Sequence, residues 1–546
     1  MIRTYRYELL IVILATLLFI PFLGAVHLFD WDEINFAESA REMIATGDYF
    51  RVQINFQPFW EKPPLFIWMQ VVSMKLFGIN EFAARFPNAV CGVLTLLVLF
   101  RAGKQLFGEK FGLLWALVYA GTFLTFLYFK SGIIDPWFNF FIFLSVYFFS
   151  FLTQAGYEHR TRNAWLSGIL LGLAVLTKGP VAILVVLLCL LIFYISIRFR
   201  KIISFKELFI IAFSTAVICF AWFGVELMRN GPWFLQEFVV YQIRLFRTQD
   251  AGHGGPFFYH WIVLLLGCFP ASIFMIKAFF MRGSTYTHQR NFYKWMTIMF
   301  WVVLILFSIV KTKIVHYSSL CYFPLSFLAT YAIFYLVQDK TSWKRIMNAG
   351  IVLVGSLIAL TLIVFPFMMI RKDQWIGMIK DEFAVANLQA QIDWNLWDTL
   401  GGFLLLAGVI YCIYAVSKQR RLQAVILLFG AVILSMFYTS WRLVPKIELF
   451  SQAAAIRFYE SKQGMDVYVQ PMYYKSYAHL FYSQKAPLVN DRSYDHAWLM
   501  EGDIDKPVYF ITKLNKVGEL EKYPDIIRIG DENGFVFFKR EPAVLK

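Results

Sequence analysis

The sequence predicts an all-α membrane protein of about thirteen transmembrane helices, with interfacial helices in its first outer loop and a small C-terminal α/β domain. Three observations carry this. Of 546 residues, 59% are hydrophobic and only 16% are charged, whereas soluble domains carry about 25% charged residues. Apolar runs recur along most of the chain, close to the roughly 20 residues that a spanning helix needs. After residue 440 the long runs stop, and short strand-like segments replace them.

The thirteen runs fall near residues 8–27, 82–102, 109–129, 134–153, 163–179, 180–198, 206–228, 258–280, 294–310, 317–337, 347–370, 397–416 and 421–440. The first exceeds the roughly 7–15 apolar residues of a signal-peptide core, so it reads as a retained helix. The fifth abuts the sixth at Lys178-Gly179-Pro180. Residues 65–79 are apolar but short and bounded by charge, which suits an interfacial or re-entrant helix. Segments 466–470, 507–512 and 534–539 read as strands, and 453–462 and 473–482 as helices. The chain therefore divides into a membrane domain, 1–444, and a C-terminal domain, 445–546, in which nothing looks catalytic. No internal repeat stands out.

The net charge is +15, and its distribution orients the chain. The N-terminus and the loops at 101–110, 159–162, 198–206, 282–294, 340–345 and 418–421 are short and basic. The alternate loops are longer, mixed in charge and rich in Trp and Tyr. The positive-inside bias makes the first set cytoplasmic. It places the N-terminus inside, and the first outer loop, 28–81, and the C-terminal domain outside. No nucleic-acid-binding motif accompanies the basic balance, so no nucleic-acid partner is expected. The six cysteines lie in apolar runs without CxxC spacing, and read as buried hydrophobes rather than a disulfide or metal framework.

Chemistry is most concentrated in the first outer loop. Phe36, Ala40, Met43 and Ile44 share one helical face, with Glu38, Arg41 and Glu42 opposite. This predicts an amphipathic helix in the interface whose charged residues face water. Asp32 suits an N-cap of that helix or a catalytic carboxylate, and the two roles are compatible. In Glu61-Lys62-Pro63-Pro64 the charges form a snorkelling pair or an anion site, with Lys62 on a phosphate and Glu61 holding it or a metal. Asp135, before Pro136, is a helix start or a functional acid at the membrane edge. Lys178 lies at an outer boundary, against the charge bias, where snorkelling or a phosphate would account for it.

Residues 244–260 are basic, Gly-rich and aromatic, and offer Arg247 as a phosphate contact. Gly254-Gly255-Pro256 argues against a helix that would bring His253 and His260 together as metal ligands. Lys311, Lys313, His316 and Tyr317 suit an anionic head group or interfacial anchoring.

Taken together, WDEINFAESAREMIATGDYF, FWEKPPLFIW, Asp135-Pro136, LTKGP, HGGPFFY and KTKIVHY resemble the membrane glycosyltransferases related to protein O-mannosyltransferases, most of all the ArnT type that modifies lipid A. The resemblance runs through the whole membrane part. It implies inverting transfer of a hexosyl or pentosyl sugar from a polyprenyl-phosphate donor, undecaprenyl phosphate in bacteria, at the outer face of the inner membrane. The acceptor would be lipid A, another glycan or a protein. By this likeness Asp32 is the base, with Glu33 beside it, and Asp135 is the second functional acid. Lys62 and Lys178 meet the donor phosphate, joined by Arg247, Lys313 and Tyr317. Glu61 and His253 match a pair able to hold a divalent metal such as zinc, which the chemistry does not require. At Tyr317 the usual Leu-Pro-Thr-Tyr reads Ile-Val-His-Tyr here. A transporter or flippase is the alternative. It would instead place ionisable groups at the bilayer midplane, often in repeated halves.

Overall fold

The structure, a computed structural model, describes residues 5–154, 156–248, 254–281, 283–487 and 490–543. Helix α1 (Arg6–Phe19) leads into a long loop built from α2 (Asp32–Thr46), a hairpin of two two-residue strands, β1 (Gln53–Ile54) and β2 (Gln57–Pro58), and α3 (Leu65–Phe77). The bundle continues with α4 (Glu81–Phe107), α5 (Glu109–Ala120), α6 (Phe123–Tyr128), α7 (Asp135–Phe151), α8 (Arg160–Lys178), α9 (Val181–Ser196) and α10 (Phe205–Asn230). Next come α11 (Trp233–Arg247), α12 (Tyr259–Gly267), α13 (Ala271–Phe279) and α14 (Thr287–Ile309). A 3-10 segment (Val315–Cys321) feeds α15 (Tyr322–Val337), followed by α16 (Arg345–Ile370), α17 (Glu382–Leu388), α18 (Leu400–Ser417) and α19 (Arg421–Arg442).

Each of the thirteen apolar runs is thus helical, but they are not thirteen equal spans. Among the described residues seven helices are long and apolar enough to cross a membrane, or eight if α12 and α13, bent by 114°, count as one. The third run is broken at Gly121 into α5 and α6. Helices α1, α9 and α7 have 14, 16 and 17 residues, short of the roughly 20 that span a bilayer core. The chain is a multi-pass membrane protein.

Two glycines set close features of the bundle. A Cβ on Gly112 of α5 would lie 2.3 Å from the Phe100 carbonyl oxygen of α4, so the backbones meet there as small residues allow in membrane helix pairs. Gly179, with φ +108°, ends α8 and lets Pro180 open α9. That sharp turn leaves Lys178 at the helix end, facing the outer loop.

The C-terminal part begins with α20 (Val444–Leu449) and α21 (Ala453–Glu460), continues through β3 (Tyr468–Pro471) and α22 (Ala478–Tyr482), and ends on β4 (Val508–Lys513), β5 (Ile527–Glu532) and β6 (Phe535–Arg540). The sheet order is β3-β4-β6-β5. Tyr468 pairs with Val508 in parallel, and Val508 with Arg540 antiparallel. The three expected strands are present. Strand β5 escapes the hydrophobic pattern because it is an exposed edge. The helix expected over 473–482 contracts to α22, since the chain before it is irregular and Tyr473 takes φ +63°.

One expectation for the outer loop is corrected. Helix α2 has no water-facing charged side: Glu38 and Glu42 are fully buried and Arg41 nearly so. Its apolar face shares a core with the C-terminal part, where Ile34 and Phe36 join Ala454, Ile456, Phe481 and Tyr482. Its charged face is covered by the hairpin, which Lys485 (Nζ to Asn55 Oδ1, 2.7 Å) and Tyr494 (Oη to the Asn55 carbonyl, 2.8 Å) hold from above. Arg41 grips both oxygens of Glu38 at 2.7 Å, and Glu42 accepts the Phe56 amide at 2.8 Å. Periodicity identified the helix, but it could not foresee a neighbour some 430 residues away.

Burial and then the adjacent Glu38 charge push the Glu42 carboxyl up to about 9, against the pull of the Phe56 amide and Arg41. A carboxyl raised on folding contributes stability that is complete below its unfolded pKa of about 4.3 and is lost as pH rises through the folded value. The apparent Tm of purified protein should therefore fall between pH 5 and pH 9, and Glu42→Gln should flatten that slope. An equally steep slope in the variant would show that Glu42 is not its source.

Candidate functional site

The loop between α1 and α4, the adjoining ends of the bundle helices and one C-terminal loop line a cavity of about 740 Å³. Asp32, Glu33, Glu61, Lys62, Asp135, Lys178 and Tyr317 all line it, so residues spread over nearly 290 positions of sequence meet in one space. Both candidate acids are the first residues of helices, Asp32 of α2 and Asp135 of α7, and neither caps its helix through its side chain. A helix N-terminus favours a carboxylate electrostatically, which leaves the side chains available for other partners.

Those partners form a chain of opposite charges. Lys178 Nζ donates to Asp135 Oδ1 at 2.6 Å. His316 Nε2 lies 3.1 Å from Asp32 Oδ2 and 3.8 Å from Asp135 Oδ2. Burial alone would raise Asp32, but the His316 hydrogen bond and charge, with Lys178 and Lys62, bring it down to about 2. Lys62 reaches Tyr241 Oη at 3.4 Å and Glu61 Oε2 only at 3.9 Å. Burial lowers its pKa, Glu61 partly offsets this, and Lys178 lowers it further. Its ammonium is thus only loosely paired with Glu61 and stands on the wall of the cavity.

Glu33 lines the same cavity but differs from Asp32 in role. Its oxygens take Arg85 Nε and Nη2 at 2.9 and 2.8 Å, the Phe29 amide at 2.8 Å and the Gly132 amide. Burial would raise this carboxyl, and Arg85 with the two amides holds it below the usual range. With its oxygens so engaged, Glu33 positions the site rather than taking protons, which corrects its assignment as a catalytic group. Lys313 is corrected as well: its Nζ donates to the carbonyls of Phe307, Ser308 and Val310 at 2.9, 2.7 and 2.6 Å. It closes the C-terminal end of α14 and does not line the cavity. Tyr317 does line it, with the Lys178 ammonium 5.1 Å from its ring centre. The Arg247 side chain and His253 lie outside the described residues.

Glu61 stands beside Lys62, and among the described residues no three His, Cys, Asp or Glu side chains gather as a metal site would require. His253, the expected partner of Glu61, lies outside the described residues.

Several site residues were missed from sequence. Arg85 sits in an apolar run, a signal that was there to use because a charge inside such a run requires a partner. His316, expected at an anionic head group or as an interfacial anchor, instead stands between the two acids. Lys475 and Tyr477 come from the C-terminal domain, where no catalytic pattern was visible. Lys475 stands 4.6 Å from the Trp31 ring centre and Tyr477 packs edge-on to Trp31, so both close the cavity beside Asp32.

The family described as dolichyl-phosphate-mannose-protein mannosyltransferase matches residues 61–223. Among curated proteins, the undecaprenyl phosphate-alpha-4-amino-4-deoxy-L-arabinose arabinosyl transferase of Photorhabdus laumondii is 27% identical over 300 residues, 54% of each chain. That of Pectobacterium atrosepticum is 26% identical over 353 residues, 62% of this chain and 63% of the other. The chain therefore matches less than two thirds of the length of these relatives. The fold extends further: the crystal structure of ArnT from Cupriavidus metallidurans bound to undecaprenyl phosphate matches 98% of both chains, with TM-score 0.80 and 18% identity. The chain is thus similar to this mannosyltransferase family over part of its length and shares the fold of ArnT. The same ArnT without ligand matches with TM-score 0.78. The cavity described above joins the Asp-Glu segment at the start of α2 to the Asp-Pro and Lys-Gly-Pro segments of the bundle.

Removing one member of a buried ion pair costs about 3–5 kcal/mol because the other charge stays unpaired. Arg85→Met should therefore lower the Tm sharply in detergent or nanodiscs. The double variant Arg85→Met/Glu33→Leu should recover part of the loss. Equal Tm values for wild type and Arg85→Met would show that the pair does not hold the loop.

Proposed function

We propose that the chain transfers a sugar from a polyprenyl-phosphate donor, undecaprenyl phosphate in type, to a lipid A-type, glycan or protein acceptor. Transfer takes place at the outer face of the inner membrane. The observation that carries this reading is the joining of two acids, Asp32 and Asp135, and two lysines, Lys62 and Lys178, in one cavity. The charge bias of the loops supports thirteen crossings, with the N-terminus in the cytoplasm and the cavity outside. There a lipid-linked sugar can enter from the bilayer and an acceptor from the aqueous side.

The reaction is a single displacement with inversion. The acceptor oxygen, near Asp32, attacks the anomeric carbon as the bond from that carbon to the phosphate oxygen breaks. The leaving lipid phosphate keeps the electron pair. Lys62 offers it a buried ammonium whose ion pair with Glu61 is long, at 3.9 Å, and Lys178, paired with Asp135, adds positive charge. Preorganised cations in a space shielded from water stabilise such developing charge far better than water does. The lipid phosphate is a good leaving group, so little protonation of it is needed. Zinc held by Glu61 and His253, as the resemblance implies, has no part in these steps.

Undecaprenyl-phosphate sugars, carrying 4-amino-4-deoxy-L-arabinose or hexoses, presented with lipid A in proteoliposomes, test the reading. Wild type should form product. Asp32→Asn should lose about 10²–10⁴-fold in kcat, the usual size of a base contribution. Lys62→Ala should weaken the donor step more than acceptor binding. Absence of product from every donor, with movement of the intact lipid across the bilayer, would favour the flippase reading instead.

A further inference from the structure

Two amides line the cavity, and each stands one helical turn beyond one of the acids. Asn35 follows Asp32 by three residues on α2, and Asn139 follows Asp135 by four on α7. These spacings put amide and acid on the same helix face. The two amides are used differently. Asn139 Nδ2 donates to Tyr128 Oη at 2.5 Å and to Ser319 Oγ at 2.7 Å, so it fastens α7 to α6 and to the 3-10 segment before α15. Asn35 is engaged through its backbone: its amide donates to the Trp31 carbonyl at 3.0 Å, and its carbonyl accepts from Ser39 Oγ at 2.9 Å. The residue is only 8% exposed, yet its side-chain Oδ1 has no hydrogen-bond partner among the described residues.

A buried polar atom without a partner is rare and costs stability. Phe36 and Phe59 share the same wall, so an apolar side chain would have served the packing equally well. A polar group kept unsatisfied on a cavity wall is how a site recognises a hydroxyl of its ligand, because only the right ligand supplies the missing bond. Rotation of the amide lets it present its oxygen as acceptor or its NH2 as donor.

We propose that Asn35 hydrogen-bonds a ring hydroxyl of the transferred sugar and thereby selects the donor. This rests on the transferase reading given above. In that reading the anomeric carbon lies between the acceptor oxygen, near Asp32, and the phosphate, near the lysines. One turn of α2 beyond Asp32 advances about 5 Å, the scale of a pyranose ring with its hydroxyls. An amide is neutral and both donates and accepts, as a hydroxyl does, whereas an ammonium group on the sugar is matched by a carboxylate. The sugar class that fits is therefore one with an uncharged hydroxyl at the ring position facing Asn35. No bond is made or broken at this residue, which holds the ring and leaves the proton to Asp32.

Binding and stability of the full chain in nanodiscs test this. Asn35→Leu replaces the amide by an apolar side chain of similar shape, and Asn35→Ala removes it without adding bulk to the cavity. The Asn35 oxygen has no bond to lose, so Asn35→Leu should keep the wild-type Tm or raise it. The probes are undecaprenyl phosphate without sugar, and the same lipid carrying a hexose, a pentose or 4-amino-4-deoxy-L-arabinose. Binding is read from tryptophan fluorescence, since Trp31 lines the cavity. The sugar-free lipid should bind wild type and both variants alike. The sugar-loaded lipid that wild type binds best should bind both variants about 10-fold more weakly, the size of one neutral hydrogen bond.

Single-deoxy analogues of that donor then locate the contact. One analogue should lose about 10-fold against wild type and nothing further against the variants, as a double-mutant cycle requires. A lower Tm with equal weakening of sugar-free and sugar-loaded lipid would make Asn35 a structural residue and overturn the proposal. So would a deoxy series whose losses are the same in wild type and variants. Sugar discrimination through Asn35 with no transfer by wild type to any acceptor would reject the transferase reading, while leaving the hydroxyl contact intact.

Discussion

The buried pair of Arg85 and Glu33 is the interaction on which the site depends. Arg85 comes from α4, and its guanidinium spends every direction it has. Besides Glu33 it donates to the carbonyls of Leu23, Val26 and His27 at 2.8, 2.7 and 2.9 Å. Glu33 in turn takes the amide of Gly132, in the segment before α7. One ion pair therefore ties together the chain leaving α1, the start of α2, helix α4 and the approach to Asp135. Its planar, five-donor geometry is what makes this possible, and a lysine in its place could not reach all of these acceptors. Asp32 is the preceding residue, so the knot that locks Glu33 also fixes the backbone that carries the Asp32 carboxylate.

Around this anchor the cavity separates two neighbouring acids by environment. Glu33 is saturated by donors and is closed off. Asp32, one residue earlier, keeps a side chain that is 39% exposed to the cavity. Asp135 is deeper, and divides its oxygens between Lys178 and His316. The lysines differ in the same way. Lys313 is exhausted by helix carbonyls, Lys178 is paired, and Lys62 retains capacity for an anion. Residue type alone does not separate a structural lysine from a phosphate contact. The number of unsatisfied donors left after folding does.

The C-terminal part also changes character once packed. Its sheet has a core of its own, Val508, Phe510, Val536 and Phe538 among others, as a separate domain should. Yet α21 and α22 share their apolar faces with α2 and α3. Ser476 hydrogen-bonds Asp30, and Leu28 donates its amide to Tyr482 Oη at 2.6 Å. The loop between β3 and α22 delivers Lys475 and Tyr477 to the cavity. The part of the chain that looked least chemical is thus one wall of the site.

Much of this molecule was legible in the sequence. Apolar run length determines a helical membrane protein, because an unsatisfied backbone in lipid leaves no other economical choice. The alternation of basic and mixed-charge loops put Asp32, Lys62, Asp135 and Lys178 on one side, and the structure brings them into one cavity. These are local properties, set by composition within some twenty residues of each position. What only the tertiary structure decided is who meets whom. Whether Glu38 and Arg41 face water or a domain, whether Lys313 meets a ligand or a helix end, and whether His316 stands between two acids are questions of contact across hundreds of residues. Charge pairing and burial act through space at a few ångströms, and sequence spacing carries that distance only within a single helix or strand.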